Sequence, residues 1–312
     1  MISVSNLSKS FDDFRAVKDI SFSVEAGEVL GFLGPNGAGK STTMKMLTGF
    51  LSPTSGKVSV LGHDMSLDAI SAQEHIGYLP EGAPSYGDMT VKASLVFIGE
   101  ARGIKGKELA ERIASVVERV ALGSVLSKRI ENLSKGFRRR LGLAQALLHD
   151  PKILILDEPT DGLDPNQKHQ VRELIRNLSE DKIVIVSTHI LEEVSAVCTR
   201  AMILANGEIL FDGTPSNLAS KSGFHNAVTV RVTNLQPALI SALEALRNVE
   251  RVQQGELDQL VIFPIDGQSI LADINQVLHA QGCQVEELHV EVGRLDDVFR
   301  KLTMSATEGE SA

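Results

Sequence analysis

The run Gly34-Pro35-Asn36-Gly37-Ala38-Gly39-Lys40-Ser41-Thr42 has the residue types and spacing of a phosphate cradle. Glycines let the backbone curl until successive N–H groups point inward at an anion. Lys40 has the length and charge to reach β- and γ-phosphates, and the Ser41 hydroxyl can serve as a ligand for Mg²⁺. A helix starting near Lys40 would add its positive dipole end. The segment 28–33 reads as a buried strand and 41–50 as a helix, so the loop has the strand–loop–helix setting it requires. Its ligand is a nucleoside triphosphate. The loop alone does not say what the energy drives.

Two more strand ends carry chemistry. Lys152 to Asp157 is four apolar residues followed by acid, and Glu158 and Pro159 follow. A buried strand therefore delivers two carboxylates to the sheet edge where ligands of open α/β sheets bind. Asp157 is the expected Mg²⁺ ligand, directly or through water. Glu158 is the expected general base for an attacking water. Ser187-Thr188-His189 ends another apolar strand, and His189 there can hydrogen-bond a γ-phosphate and orient the water. In Asn132-Leu133-Ser134-Lys135-Gly136-Phe137, Ser134 and Gly136 stand at a helix N-terminus. They are either a plain cap or a hydroxyl and backbone N–H groups offered to a phosphate.

The elements that must hold these residues follow from periodicity. Short alternating segments at 2–4 and 20–24 read as antiparallel strands, with Phe11 between them. Residues 57–61 and 76–79 read as strands, 90–150 as a helical insertion, 167–178 as a helix and 183–187 as a buried strand. Continuous apolar strands imply a parallel sheet covered on both faces. Asn206-Gly207 marks a hairpin between 201–204 and 208–211. The polar stretch 220–226 reads as a linker. Beyond it, strand–helix–strand–strand–helix–strand, with a turn at Glu256-Leu257-Asp258, implies a small ferredoxin-like α+β unit. A last helix at 295–302 and a polar tail from Thr303 close the chain. The fold class is thus α/β, a P-loop NTPase core with an antiparallel β subdomain and a helical subdomain at about 90–150. The expected domains are 1–222 and 223–312.

Composition narrows the function. At 312 residues the chain is long for one core. A net charge of −9 supplies no basic excess to neutralise a nucleic-acid backbone, so nucleic acid is not an expected partner. Cys198 and Cys283 lack metal-ligand spacing and imply no disulfide framework. No basic region followed by an apolar run opens the sequence, so a signal peptide is not expected. No stretch is apolar enough to span a bilayer. Arg138-Arg139-Arg140 is the one dense basic run and reads as a solvated helix face. His279 and His289 read as ordinary surface or core residues.

In this order, the phosphate loop, residues 133–137, 154–159, Asp161-Gly162-Leu163-Asp164 and His189 resemble the nucleotide-binding subunit of ATP-binding cassette (ABC) transporters. The resemblance covers residues 1 to about 222. It implies ATP as ligand and Mg²⁺ as cofactor. It also implies a head-to-tail homodimer, in which the 133–137 signature of one copy closes over ATP held by the other. Asp164 resembles the aspartate that links the two sites, and Phe11 the aromatic that stacks on adenine. Three departures stand out. The signature has Lys135 and Phe137 where glycine and glutamine are usual, and Lys135 either meets a γ-phosphate or points to water. Asp161 stands where serine is usual. Glu81 stands where the family has a glutamine that ligates Mg²⁺ and relays to the membrane partner. Residues 76–81 and 89–91, with the C-terminal unit ending at 295–299, are similar to stand-alone ATPases of ABC-2-type exporters. The expectation is an ATPase subunit, cytoplasmic and peripheral on the inner face of the membrane, driving a separate permease; the alternatives are a soluble ABC-type ATPase acting on a macromolecular partner and an ATP-dependent regulatory binding module.

Overall fold

The structure is a computed structural model that describes residues 1–83, 85–255 and 258–308. The chain divides into two compact units, Met1–Gly213 and Thr214–Ala312.

The first unit opens with β1 (Ile2–Phe11), β2 (Phe14–Val24) and β3 (Val29–Leu33), then α1 (Lys40–Leu47). Next come β4 (Ser55–Val60), β5 (His63–Asp64), α2 (Ala69–Glu74) and β6 (Ile76–Leu79). The helical stretch consists of α3 (Val91–Ala101), α4 (Gly106–Arg119) and α5 (Lys135–Leu147). It leads into β7 (Ile153–Asp157), α6 (Pro165–Leu178), β8 (Ile183–Thr188), α7 (Leu191–Val197), β9 (Arg200–Ala205) and β10 (Glu208–Gly213). One antiparallel sheet has the order β2-β1-β4-β5. The other has the order β10-β9-β3-β8-β7-β6 and is parallel except for its edge strand β10.

The apolar runs are explained by burial on both faces. Leu154, Leu156, Val184 and Val186 enter a core shared with Leu95, Leu109, Leu143 and Leu147 of the helical layer. Their neighbours Ile153, Ile155, Ile183 and Ile185 enter a second core with Ile2, Val4, Ile20 and Val58 of the antiparallel sheet. The in-register pairs Leu33↔Thr188, Asp157↔Ser187 and Leu79↔Leu156 align the carboxyl ends of four strands. The phosphate loop and the segments bearing Glu81, Glu158 and His189 therefore leave the same sheet edge.

The run Arg138-Arg139-Arg140 is not a solvated face. Arg138 is exposed, but Arg139 and Arg140 are buried. Their alkyl stems and guanidinium groups find partners inside the unit, among them Ala121 O and Gln170 for Arg140.

In the second unit α8 (Pro215–Ala219) precedes β11 (Val228–Val232), α9 (Pro237–Glu244), β12 (Val249–Gln254) and β13 (Gln259–Pro264). Then follow α10 (Leu271–Ala280), β14 (Val285–Val290) and α11 (Leu295–Glu308). The sheet order β12-β13-β11-β14, antiparallel throughout, is the ferredoxin-like split arrangement expected from the element order. Val228, Val230, Leu260 and Ile262 pack with Leu239, Leu243, Ile274 and Leu278. Of the expected turn 256–258, the first two residues lie outside the described residues. The polar tail begins later than its composition implies. Thr303 hydrogen-bonds back to Phe299 O, and α11 continues to Glu308; residues 309–312 lie outside the described residues.

Candidate nucleotide site

The phosphate loop links the buried strand β3 to α1, and two of its glycines are fixed by close approach. A Cβ on Gly34 would lie 2.4 Å from Leu204 O. Gly39, at φ 100, would place one 2.5 Å from Ala16 O. Pro35, Asn36 and Gly37 are exposed at the tip, whereas Ala38, Gly39 and Lys40 are buried. Lys40 Nζ donates to Gly34 O at 2.7 Å and to Pro35 O at 3.1 Å. Burial lowers the pKa of its ammonium, and the charges of Glu158, Asp157 and Glu81 oppose that shift. Three carboxylates thus face this buried cation at the strand edge.

The loop opens onto a cavity of about 380 Å³ lined by Phe11, Phe14, residues 36–42, Glu81 and Glu158. Ser41 and Thr42 are half-buried on its floor. Phe11 and Phe14 face each other across the β1–β2 turn and are 46% and 62% exposed. Cavity walls therefore carry Lys40 with two acids at one end and aromatic rings at the other. Phe14 was not apparent from sequence. Its signal was its pairing with Phe11 in a tight hairpin.

Asp157 lies at the end of β7, 1% exposed. Its Oδ1 accepts from Ser187 Oγ, and its Oδ2 is buried with no hydrogen-bond partner. A buried carboxylate oxygen without a donor suits a cation, so the residues fit Mg²⁺. Among the described residues no cluster of three or more His, Cys, Asp or Glu side chains could hold an ion alone. The rest of a Mg²⁺ shell would come from Ser41, Glu81, phosphate oxygens and water.

Glu158 adopts φ 52, and its N–H donates to Ser187 Oγ at 3.0 Å and to Ser187 O at 3.2 Å. That turn sends its side chain toward the loop. Glu158 Oε1 lies 2.9 Å from His189 Nδ1, and His189 is largely exposed. Behind both sits Glu193, 4% exposed, which accepts from Thr160 Oγ1 and, at 2.8 Å, from Thr188 Oγ1. It ties the segment after Glu158 to the segment before His189. Sequence reading missed it because a glutamate in the first turn of a short helix reads as surface.

Ser134 caps α5, accepting from Phe137 N at 3.4 Å, and it is exposed. Gly136 is buried, and a Cβ there would lie 2.9 Å from Gln167 Oε1. Asp164 caps α6, with Oδ1 accepting from Gln167 N at 2.8 Å. None of these three lines the cavity around Lys40. Lys135 neither stands free nor points to water alone; it pairs with Asp161. A separate cavity of about 430 Å³ between α4, α5 and α6 carries none of the phosphate-holding residues.

Residues 17–161 match the family described as ABC transporter. The chain is 37% identical to the uncharacterized ABC transporter ATP-binding protein YxlF of Bacillus subtilis (strain 168), over 97% of this chain and 99% of that one. It is 32% identical to the linearmycin resistance ATP-binding protein LnrL of the same organism, over 97% and 98%. Of solved structures, the dimeric bacterial ABC transporter cassette MJ0796 superposes with a TM-score of 0.65 over 69% of this chain and 99% of that one. At 23% identity that likeness is one of fold. With relatives aligned along nearly its whole length and a triphosphate cradle at its sheet edge, the chain belongs to the ABC transporter ATP-binding proteins and is an ATPase.

Proposed function

We propose that this subunit binds ATP with Mg²⁺, closes head to tail on a second copy, and drives a separate membrane permease in export. One observation carries the dimer. The site residues fall into two sets, and Ser134, Gly136 and Asp164 stand outside the cavity that Lys40, Glu81 and Glu158 share. A second copy offering its own signature turn would complete each site. The dimeric cassette MJ0796 has the same fold. The name of LnrL, a resistance protein, supports export.

In this reading Phe11, with Phe14, holds the base. Residues 34–42 hold the phosphates through backbone N–H groups, and Lys40 exchanges its loop carbonyls for β- and γ-oxygens. Ser41, Asp157 and Glu81 would hold Mg²⁺, which would neutralise the phosphate oxygens. Glu158 takes a proton from the attacking water. Its bond to His189 has a consequence. When Nδ1–H donates to Glu158, a neutral imidazole has no proton on Nε2.

No helix among the described residues is long and apolar enough to cross a membrane. In this reading the permease is a separate chain, with this subunit peripheral on the cytoplasmic face. Tyr86 and Phe97, exposed and packed edge to face at 5.8 Å, offer an apolar grip for a short permease helix beside Glu81. The second compact unit contributes none of these residues and is read as an accessory domain.

Glu158→Gln tests the core of this reading. It should keep ATP binding, lose hydrolysis by roughly 10²–10⁴, and accumulate an ATP-bound dimer on size exclusion. Wild-type turnover would remove Glu158 as base. A monomer at saturating Mg·ATP would remove the dimer.

A further inference from the structure

We propose that Arg139 is a positioning residue for hydrolysis, clamping the backbone of Glu158 to the Pro80–Glu81 turn. The inference rests on Glu158 acting as the general base. Arg139 Nη1 donates to Pro80 O at 2.9 Å, and Nη2 donates to Glu158 O. Arg139 is 5% exposed, so both bonds are largely shielded from water. Three elements meet at this one group: α5, the loop after β6 and the loop after β7.

Each end of the clamp has something to hold. Glu158 adopts φ 52, a region non-glycine residues avoid, and its carbonyl would lose a buried donor without Arg139. Its N–H is already held by Ser187. Bonds on both sides of the residue therefore fix the peptide planes that aim the carboxylate. At the other end Pro80 immediately precedes Glu81, the acid that lines the cavity opposite Glu158. A planar fork of fixed width sets the spacing between the base and that acid. Burial weakens the charged form of Arg139, while Asp157, Asp161, Glu158 and Glu81 favour it. The clamp is also the counter-charge to these carboxylates.

Arg139 lies about one helical turn after Lys135, which follows the cap Ser134. Contact of a second copy's nucleotide with the first turn of α5 would shift the same helix that holds Glu158 O and Pro80 O.

The test uses the full chain and single-turnover hydrolysis counted per bound ATP. Arg139→Lys keeps the charge but replaces the planar fork by a single nitrogen, which lacks the fixed width that holds the two carbonyls apart. It should lower the rate per bound ATP by roughly tenfold to a hundredfold, with the ATP Kd changed by less than about twofold. Arg139→Met should lose at least as much. A wild-type rate in Arg139→Lys overturns the proposal, as does an affinity loss equal to the rate loss. Nitrogen-15 NMR of the unmutated protein supplies an arm independent of variant folding. Two bonds should stop guanidinium rotation and resolve the Arg139 Nη–H signals; one averaged signal overturns the clamp. Glu158→Gln in the same assay reports on the base alone, so failure of that assignment is seen separately.

Discussion

Lys135 Nζ lies 2.6 Å from Asp161 Oδ2. These are two of the positions at which the chain departs from the residues usual in its family, and the structure shows the departures meeting. The lysine stem crosses Gly162 at φ 74, where a Cβ would lie 2.5 Å from Lys135 Cδ. The hydrogen bond from Lys135 holds the Asp161 carboxyl below its usual range. Both side chains are largely exposed, so the pair is a local tie and no major source of stability. A cycle of Lys135→Gly, Asp161→Ser and the double variant should give a coupling of about 0.2–1 kcal/mol in urea unfolding at low salt. The carboxylate is the paired form, so this coupling should vanish as pH falls through the lowered Asp161 pKa, and also in strong salt. Strictly additive single effects would show that the two residues do not cooperate.

Glu81 places a carboxylate where an amide would carry no charge. With Glu158 it gives the phosphate-loop end of the cavity two acids. Glu81→Gln should reduce the Mg²⁺ dependence of hydrolysis and raise the rate at low Mg²⁺. Unchanged Mg²⁺ titration and rate would mean that Glu81 neither binds the ion nor acts on the phosphate.

Both aromatic rings at the β1–β2 turn should hold the base. Phe11→Ala and Phe14→Ala should each weaken ATP binding by about 1–3 kcal/mol, the range seen for base–aromatic stacking. Titration with ATP and inorganic triphosphate separates the terms, because the base-free ligand should bind all variants equally. If Phe14→Ala matches the parent with ATP, stacking belongs to Phe11 alone.

His149 should give the cassette an acid sensitivity unrelated to catalysis. Its Nε2 lies 3.0 Å from Ile76 O, and burial first, then the charge of Arg102, lowers its pKa from 6.5 to about 4. Between these values the unfolded chain takes up a proton that the native chain refuses. Stability should therefore fall as pH drops through that window, by up to about 3 kcal/mol. His149→Gln keeps a donor and loses the titration, so its unfolding free energy should decline less over the same range. Parallel pH profiles would contradict the assignment.

The sheet, the loop and the acidic strand end were legible because each is local. Apolar runs announce strands buried on both faces, and the cradle depends on residues in sequence order. Residues that meet only through tertiary approach were not legible. Arg139 and Arg140 read as a charged surface because nothing in their neighbours reveals that Pro80 O, Glu158 O and Ala121 O lie within reach. Glu193 hid for the same reason. The resemblance implies that Asp164 acts across an interface; within one chain the structure shows it as the cap of α6.

The helical layer shares its core with Val29, Leu154, Leu156, Val184 and Val186 of the sheet behind it. Residues 90–150 are contiguous in sequence and look like a module that could be cut out or exchanged. They are not one. A graft between relatives would have to carry the matching faces of β3, β7 and β8, or leave apolar side chains on both sides without a partner.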